Sequence, residues 1–448
     1  MIGGSDRQAS PQRPPLAPKP RRRARGRPRF RVLLVAAAGV VLASSALAAC
    51  GTSSASTGPV TLQFYNFPDP SGAVQSAADN CSKASHGRYT IVYNKLQNAA
   101  DQQRLQMARR LAAHDPSMDI LGLDVTWEPE FATAGWIRPW TGQAKAAAVA
   151  GTLKGPLQTA IWHGKLVAVP YNSNTQLLWY RSDLVKTPPK TWAQMFADAQ
   201  ALAKQGKPHL IEIQGAQYEG VVVWFNTLIA SAGGAILNPT STKAQLGAPA
   251  VKALSIMKTL ASSSSADPSL GVQMEDQNRL AMEAGTAAFE LNYPYVYPSM
   301  KADNPKLFKV FKWAPYPSVI PGTRAKVTIG GIDLAVSSYS PHPALAQQAV
   351  LCLRNAQNQL TAAVEGGLPP TLASVYSNPK MQGPYPFRQL ILQQVNNGSV
   401  RPKTPLYQVV SVAISHLVSP PSSINPVSTE QNLRTQINNA LTGKGLTP

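Results

Sequence analysis

From residue 60 onward, short β-rich runs alternate with segments of helical periodicity, and this alternation constrains the fold more than any other feature. The runs VTLQFYNF (60–67), RYTIVYNKL (88–96) and MDILGLDV (118–125) each have the composition of a strand. Between them, SGAVQSAADNCSKAS (71–85) and DQQRLQMARRLAAHD (101–115) place apolar residues at helical spacing. Strands joined by crossover helices form a mostly parallel sheet, so the sequence predicts an α/β fold.

The rest of the chain also has the pattern of an α/β fold. KLVAVPYNSNTQLLWYR (165–181) is strand-like with a break at Pro170, and Thr191 is placed to cap a helix that starts at Trp192. QNRLAMEAGTAAFELNY (277–293) is predicted to be an amphipathic helix, and KVTIGGIDLAVS (326–337) a strand. The 399 residues after position 49 exceed what one core usually organises, so two lobes are expected.

The first 50 residues have the layout of an export signal. A basic, proline-rich start precedes an apolar run over 32–49, and small residues stand just before Cys50. This order is typical of a secretory signal peptide, read by either the general or the twin-arginine export route, and an uncleaved membrane helix is the alternative. The motif LAAC resembles the bacterial lipobox. It predicts that the signal 1–49 is removed, that Cys50 carries lipid, and that 50–59 form a flexible tether.

The net charge of +20 depends heavily on that segment. Residues 1–49 hold ten Lys and Arg residues and one Asp, so the chain from Cys50 onward has a net charge of +11. It has no dense Lys/Arg stripe with interleaved aromatic residues, which argues against a nucleic-acid partner. The remaining positive charge is expected on solvated surface.

Few residues suggest catalysis or metal binding. The six histidines lack the spacing of a metal site, and the G-x-S-x-G, H-E-x-x-H and P-loop motifs are absent. No pair of carboxylates stands out for glycoside hydrolysis, so we expect no enzyme and no cofactor. Cys81 and Cys352 could pair in an oxidising exterior, and two separate buried thiols are the alternative.

Several segments together resemble the family of extracellular solute-binding proteins that deliver sugars to ABC importers. The segments are MDILGLDVTWEPEFATAGWIRP (118–139), KLVAVPYNSNTQLLWYRSDLVKTPPKTWAQM (165–195), GTAAFELNYPYVYPSM (285–300), APYPSVIPG (314–322) with KVTIGGIDLAVS (326–337), and EGGLPPTLASVY (365–376). They follow the order that the family uses and cover most of residues 60–380. Within the family, the chain looks most like the trehalose-binding lipoproteins of mycobacteria, an actinobacterial group.

The resemblance implies a periplasmic-binding-protein-like fold, in which two α/β lobes are joined by a three-segment hinge with the ligand cleft between them. By matched segments, the first lobe comprises 60–171 plus 327–370, and the second comprises 178–315 plus 373–448. The hinge segments lie near 172–177, 316–326 and 368–373. Cys81 and Cys352 then share the first lobe, which favours their pairing.

A sugar site must match many hydroxyl groups, because each polar group buried without a partner costs about 1–3 kcal/mol. Carboxylates and amides supply acceptors and donors, and aromatic rings cover the apolar C–H face. The resemblance implies that Asp124 and Glu275 accept hydrogen bonds from the sugar, that Asn174 bridges the lobes, and that Tyr293 stacks where a relative has Trp. Gly330, Gly331, Asn66 and Trp127 complete the candidate set.

The local sequence also allows structural explanations. Asp124 could cap the helix that follows it, Glu275 could be an acid favoured at a helix start, and Gly330-Gly331 could be a tight bend. One departure from the trehalose-binding relatives concerns Leu372, which stands where they have an arginine, so the choice of sugar is open. Arg388 or Arg401 could supply a substitute charge.

The expected function is that of a monomeric, lipid-anchored substrate-binding protein on the outer face of the cytoplasmic membrane. It would close on trehalose or a related α-linked disaccharide and deliver it to ABC permease subunits. The alternatives are a binding protein for another oligosaccharide or a polyol phosphate and, in a different class, a secreted glycoside hydrolase.

Overall fold

The computed structural model describes residues 58–445. The predicted signal peptide, the lipidation site at Cys50 and most of the predicted tether lie outside the described residues. None of the helices within 58–445 is both long enough and apolar enough to cross a membrane.

Residues 58–445 form eleven strands and seventeen α-helices. The strands are β1 Val60–Asn66, β2 Tyr89–Lys95, β3 Ile120–Asp124, β4 Ile161–Trp162, β5 Lys165–Leu166, β6 Val169–Asn172, β7 Leu177–Arg181, β8 Leu210–Glu212, β9 Ala287–Asn292, β10 Phe311–Ala314 and β11 Ile332–Val336. The helices are α1 Ala73–Ala84, α2 Ala100–Ala112, α3 Glu128–Thr133, α4 Gly142–Val149, α5 Lys154–Thr159, α6 Trp192–Lys204, α7 Glu219–Ser231, α8 Ala248–Ala261, α9 Glu275–Glu283, α10 Val296–Asp303, α11 Pro305–Phe308, α12 Pro343–Leu353, α13 Ala356–Gly366, α14 Ala373–Tyr376, α15 Arg388–Asn397, α16 Tyr407–Val418 and α17 Pro426–Leu441.

The first sheet has the strand order β2-β1-β3-β11-β6. Strand β1 pairs in parallel with β2 and β3, as expected from the strand–helix alternation, whereas β11 pairs antiparallel with β3 and β6. Apolar residues of these strands and of α1, α2 and α12 form one buried core. The predicted break at Pro170 is a shift of register and not the end of a strand, because the pairing of β6 with β11 skips one residue between Pro170 and Asn172. Pro170 lies inside β6, where an edge strand tolerates proline because one side of it needs no ladder hydrogen bond.

The second sheet has the order β10-β7-β9-β8 and its own core. Helix α7 lies at the centre of that core, and all its residues are buried, in agreement with its continuous apolar sequence. Helix α6 begins after Thr191, whose hydroxyl accepts a hydrogen bond from the Gln194 amide at 3.1 Å, as the sequence predicts.

Residues 277–293 do not form the single helix that their apolar spacing predicts. Helix α9 ends at Glu283, and Gly285 follows with φ 80°, a left-handed conformation that stops a helix. The chain then enters β9, all of whose residues are buried at the centre of the second sheet. Leu280, Ala284, Ala288 and Leu291 keep helical spacing across the boundary, which explains the prediction of one helix. Gly285 and the polar–apolar alternation over 289–292 do indicate a separate strand.

The chain crosses three times between the region that contains the first sheet and the region that contains the second. Each crossing segment is called a passage here. Residues 173–176 join β6 of the first sheet to β7 of the second, and 315–331 join β10 of the second to β11 of the first. The third passage, 367–372, touches the first, because the Ser173 amide donates to the Pro369 carbonyl at 3.0 Å. The passages lie side by side, and the exact lobe boundaries and hinge segments inferred from the resemblance stay a prediction.

Cys81 of α1 and Cys352 of α12 are joined by a disulfide, with Cα atoms 5.8 Å apart. Both helices pack on the first sheet. The bond therefore ties two elements separated by 271 positions within one core.

Candidate functional site

Polar side chains at the strand ends and passages stand out because they are buried without a partner among the described residues. These atoms are both amide atoms of Asn66, Oδ1 of Asn172, Oγ of Ser173, the hydroxyl of Tyr316 and Nε of Arg401. Unpaired buried polar atoms cost about 1–3 kcal/mol each, so those at the strand ends and passages are candidates for contact with a ligand. Others lie elsewhere, among them the indole nitrogens of Trp140, Trp192 and Trp224. We therefore describe the carboxylates, amides and aromatic rings around these strand ends and passages.

Asp124 ends β3, and protein donors engage one of its carboxylate oxygens while the other is available. Its Oδ1 accepts from the Thr126 amide at 3.0 Å, from the Thr126 hydroxyl at 2.8 Å and from Arg401 Nη2 at 2.9 Å. Its Oδ2 has no hydrogen-bond partner within residues 58–445, and the side chain is 18% exposed. Asp124 thus closes a local turn but does not cap α3, and it keeps a preoriented acceptor.

Arg401 connects Asp124 to a second acid. Its Nη1 donates to Glu219 Oε1 at 2.6 Å while its Nη2 donates to Asp124, and the arginine is only 4% exposed. Glu219 begins α7 and also accepts from the hydroxyls of Tyr407 and Ser411. The guanidinium is therefore held between two carboxylates, each of which has further donors.

Glu275 begins α9, and it also has one oxygen held and one available. The Tyr218 hydroxyl donates to Glu275 Oε2 at 2.6 Å, and Oε1 has no partner among the described residues. The Asn292 amide donates to the Glu275 main-chain carbonyl at 2.9 Å, which fixes the start of the helix against β9. Burial raises the pKa of Glu275 above its ordinary value, and the Tyr218 hydrogen bond partly offsets this.

Tyr293 follows β9 and is half-buried, with its amide donating to Asn292 Oδ1 at 2.8 Å. Burial raises the pKa of Tyr293 well above the ordinary value, and the charge of Glu275 raises it further. The charge of Arg401 lowers the pKa of this hydroxyl and that of Asp124 raises it. The phenol stays neutral and can donate a hydrogen bond as well as present its ring.

Asn174 and Gly330 join the first and second passages through two backbone hydrogen bonds. The Asn174 amide donates to the Gly330 carbonyl at 2.9 Å, and the Gly330 amide donates back at 2.8 Å. A Cβ at Gly330 would lie 3.7 Å from Arg401 Nη2, so this pair borders the arginine. Asn172 donates from its side chain to Asn174 Oδ1 at 2.9 Å, which fixes the orientation of that amide.

Gly331 is explained by packing. Its φ is 133°, and a Cβ there would lie 2.1 Å from the Asn172 carbonyl oxygen, too close for any side chain. This supports the tight bend that the sequence allows, because the backbone of Asn172 and Ser173 packs directly against the glycine. A contact from Gly330 or Gly331 to a ligand stays a prediction.

Asn66 and Trp127 differ in what the structure offers them. Asn66 ends β1, is fully buried, and lies against Gly122, where a Cβ would overlap its amide. Its amide has no protein partner in the described region, and its contact with a ligand stays a prediction. Trp127 is 3% exposed and belongs to the first-lobe core, with its ring 6.4 Å from that of Phe131. Packing accounts for Trp127, and its predicted ligand contact has no support from this position.

Leu372 does not border these groups by any contact in the structure. Its side chain is half-buried against a third apolar cluster and lies near Gly151, and its amide donates to Gln359 Oε1 at 3.1 Å. Of the two arginines considered as substitutes, Arg401 reaches Asp124, whereas Arg388 begins α15. The sequence does not indicate Glu219 or Tyr218, because nothing local marks the start of α7 as a site.

A second group of acids lies behind Asp124. Glu128 and Asp333 are buried in the first lobe, and the Thr159 hydroxyl donates to Asp333 at 2.9 Å. Burial raises the pKa of Glu128, and it raises the pKa of Asp333 to about 7. Lys403 approaches this pair and donates to the carbonyls of Gln158 and Ile161 at 2.7 and 2.5 Å.

A cavity of about 320 Å³ borders the same stretch of chain on another side. It is lined by Asn226, Ser399, Arg401 and Lys403 together with the loop 234–241. Its lining does not include Asp124, Glu275 or Tyr293, so we place the candidate site at the carboxylates and not in this cavity. Within residues 58–445, no group of three or more His, Cys, Asp or Glu side chains could hold a metal ion.

Comparison with known proteins gives one family. The model of bacterial extracellular solute-binding proteins matches residues 73–360. A curated protein of Deinococcus radiodurans, described as "Probable ABC transporter-binding protein", is 28% identical over 365 residues, which are 77% of this chain and 86% of that protein.

Solved structures agree with this match. Maltose-bound MalE3 of T. maritima is 25% identical with a TM-score of 0.78, covering 84% of this chain and 99% of its own. The GacH receptor of Streptomyces glaucescens, solved unliganded and with acarbose, is 20% identical with a TM-score of 0.75 over 86% and 99%. A solute-binding protein of Thermotoga lettingae, bound with α-D-tagatose, is 20% identical with a TM-score of 0.75 over 85% and 100%. The predicted two-lobed α/β fold class is confirmed, and the matched proteins are transport-related binding proteins and not enzymes.

Proposed function

The chain belongs to the family of bacterial extracellular solute-binding proteins, and we propose that it captures an uncharged sugar between its lobes and delivers it to the permease of an ABC importer. The family implies export, a small-molecule ligand and a permease partner. The observation that carries the choice of ligand is the state of two carboxylates, Asp124 and Glu275. Each has one oxygen held by protein donors and one oxygen available, an arrangement that suits acceptance from sugar hydroxyls.

The two carboxylates belong to different lobes, which supports capture by closure. Asp124 ends a strand of the first sheet, and Glu275 begins a helix beside β9 of the second. Tyr293 follows Asn292, whose side chain contacts the Glu275 main chain, and it offers a neutral hydroxyl and an aromatic face. A ligand that bridges them would hold the lobes together, and Asn174 at the first passage and Asn66 at the end of β1 would add amide contacts.

An uncharged ligand is favoured over a polyol phosphate by the charges at the site. Arg401 is engaged by two carboxylates, and Lys403 donates to two carbonyls, so neither is available to a phosphate. The available oxygens of Asp124 and Glu275 would repel an anion. Among uncharged sugars, we propose trehalose or a related α-linked disaccharide, on the resemblance of the segments around Asn174 and Gly330.

Calorimetry of the purified protein tests this proposal. Trehalose, maltose, sucrose and glycerol 3-phosphate are the probes, and we expect heat with at least one disaccharide and none with the phosphate. Asp124→Asn and Glu275→Gln should each weaken binding, whereas Asp79→Asn, at an exposed position on α1, should not. Absence of heat with every sugar, or an equal effect of the three substitutions, would contradict the proposal.

The membrane attachment is a separate proposal that rests on the motif LAAC. We propose that Cys50 is the lipid-carrying first residue of the mature, monomeric protein on the outer face of the cytoplasmic membrane. Mass spectrometry of protein extracted from membranes should find an N-terminal diacylglyceryl cysteine. An unmodified Cys50, or a retained segment 1–49, would exclude it.

A further inference from the structure

One stretch of the second lobe reaches across to the first. Residues 401–408, called the bridging segment here, lead into α16, whose Val410 and Ile414 pack in the core of the second sheet. From this base, Arg401 donates to Asp124, Lys403 donates to the Gln158 and Ile161 carbonyls, and Gln408 donates to Asp101 at 3.0 Å. These acceptors all belong to elements around the first sheet, so the bridging segment is the polar contact between the lobes beside the candidate site.

Arg401 differs from the other two donors because it contacts a proposed ligand-binding carboxylate. Thr126 alone would give Asp124 Oδ1 two donors from its own turn, and Arg401 adds a charged third from the opposite lobe. With Oδ1 held on three sides, the carboxylate cannot rotate, and Oδ2 stays directed away from the turn. The guanidinium itself is held by Glu219, which in turn accepts from Tyr407 and Ser411.

The planar fork of an arginine suits this double contact. One nitrogen serves Glu219 and the other serves Asp124, at 2.6 and 2.9 Å. A lysine carries the same charge as a single point and cannot keep both contacts in this geometry. The position therefore requires arginine for shape as well as for charge.

We propose that Arg401 is a positioning residue of the binding site, which acts from the second lobe to fix the ligand-accepting oxygen of Asp124 in the first. Because the contact forms only when the two lobes are together, ligand binding and lobe contact then stabilise each other by the same free energy. This inference rests on the proposed sugar-binding function. It concerns a residue that makes no ligand contact of its own.

Calorimetry with trehalose and maltose as probes tests the positioning role through a double-mutant cycle. Arg401→Met should lower affinity about tenfold or more, and Arg401→Lys should recover part of that loss. In an Asp124→Asn background, the Arg401→Met change should lower affinity little further, because the carboxylate through which Arg401 acts on the ligand is already absent. A residue that only braced Glu219 would lower affinity by the same factor in both backgrounds, which would overturn the proposal.

Two control variants separate the positioning role of Arg401 from a folding defect and from a general effect of losing contacts in the bridging segment. Arg401→Met leaves Glu219 buried without its cation, so Glu219→Gln with Arg401→Met restores charge balance, and it should lose affinity as Arg401→Met does. Lys403→Met removes a neighbouring contact between the lobes without touching Asp124, so any loss of affinity should be the same in the wild-type and Asp124→Asn backgrounds. A Lys403→Met loss that disappears in the Asp124→Asn background, as that of Arg401→Met should, would overturn the assignment to Arg401.

Small-angle X-ray scattering without sugar separates failure of this inference from failure of the proposed function. Arg401→Lys and Asp124→Asn should each increase the radius of gyration relative to wild type, and the double variant should increase it no further. If no sugar binds but this pattern appears, the proposed ligand is wrong and the link between the lobes holds. If the radius is unchanged in both folded variants, the link is wrong whatever the ligand.

Discussion

Glu290 gives a sharp prediction about how stability depends on pH. It lies in β9, fully buried, with Oε1 accepting from the Asn292 amide at 2.7 Å and Oε2 without a partner in the described part of the chain. Burial raises the pKa of Glu290 from 4.5 to about 8, the Asn292 hydrogen bond lowers it, and the charge of Glu212 raises it.

The sign follows from proton binding. A raised folded-state pKa means that the folded protein keeps a proton which the unfolded chain releases between pH 4.5 and about 8. The stabilising contribution is therefore complete below pH 4.5 and is lost as pH rises through 8. Since one pH unit corresponds to about 1.4 kcal/mol, the loss amounts to at most about 5 kcal/mol, and relaxation around the charged group reduces it.

Glu290→Gln isolates this effect, because glutamine has nearly the same shape and stays neutral. Urea unfolding followed by tryptophan fluorescence at pH 5, 6, 7 and 8 gives the free energy of unfolding of each protein. We expect the free energies of unfolding of the variant and wild type to be closest at pH 5. That of the variant should then exceed that of wild type by a margin that grows up to pH 8. Glu365→Gln, at an exposed position on α13, controls for the loss of one carboxyl group. Parallel pH curves for wild type and Glu290→Gln would refute the reasoning.

Three further predictions concern other parts of the molecule. Cys81→Ser with Cys352→Ser should lower the free energy of unfolding by about 2–5 kcal/mol, measured by urea titration, because the bond closes a loop of 271 positions. Gly331→Ala should lower the melting temperature by several degrees, since the added Cβ meets a carbonyl oxygen at 2.1 Å, whereas Gly383→Ala, which meets nothing within 4 Å, should not. Leu372→Arg should not improve trehalose affinity in calorimetry, because Leu372 packs in an apolar cluster, and a gain of tenfold would show that this position reaches the ligand.

The sequence was informative where local pattern and burial agree. Strands β1 to β3 and the helices between them follow directly from alternation and periodicity, and the resemblance that implies Asp124 includes the segment of β3. Apolar spacing alone failed at β9, where it continues the spacing of α9, although Gly285 and the alternation over 289–292 indicate a separate strand. These failures and successes are local, since each depends on residues within a few positions of one another.

The contacts that complete the candidate site are not local. Arg401 meets Asp124 across 277 positions and Glu219 across 182, and no spacing rule connects residues so far apart. Arg401 could be suggested from the sequence only as a possible substitute for the arginine missing at Leu372. Its actual partners depend on how the second lobe folds, because α16 must pack on α7 before Arg401 reaches the end of β3.

The buried acids behind the site support the choice of an uncharged ligand. In the first lobe, Glu128 and Asp333 lie behind Asp124, and in the second, Glu212 and Glu290 lie behind Glu275, where Asn292 contacts both Glu290 and the Glu275 carbonyl. Burial raises the pKa of Glu212 and Glu290 to about 8 and of Asp333 to about 7, so these acids retain protons near neutral pH. Ionised acids there would make the cleft strongly negative, whereas neutral ones act as polar supports. The candidate site then presents two carboxylates, with Arg401 already shared between acids, and this arrangement favours hydroxyl groups over phosphate.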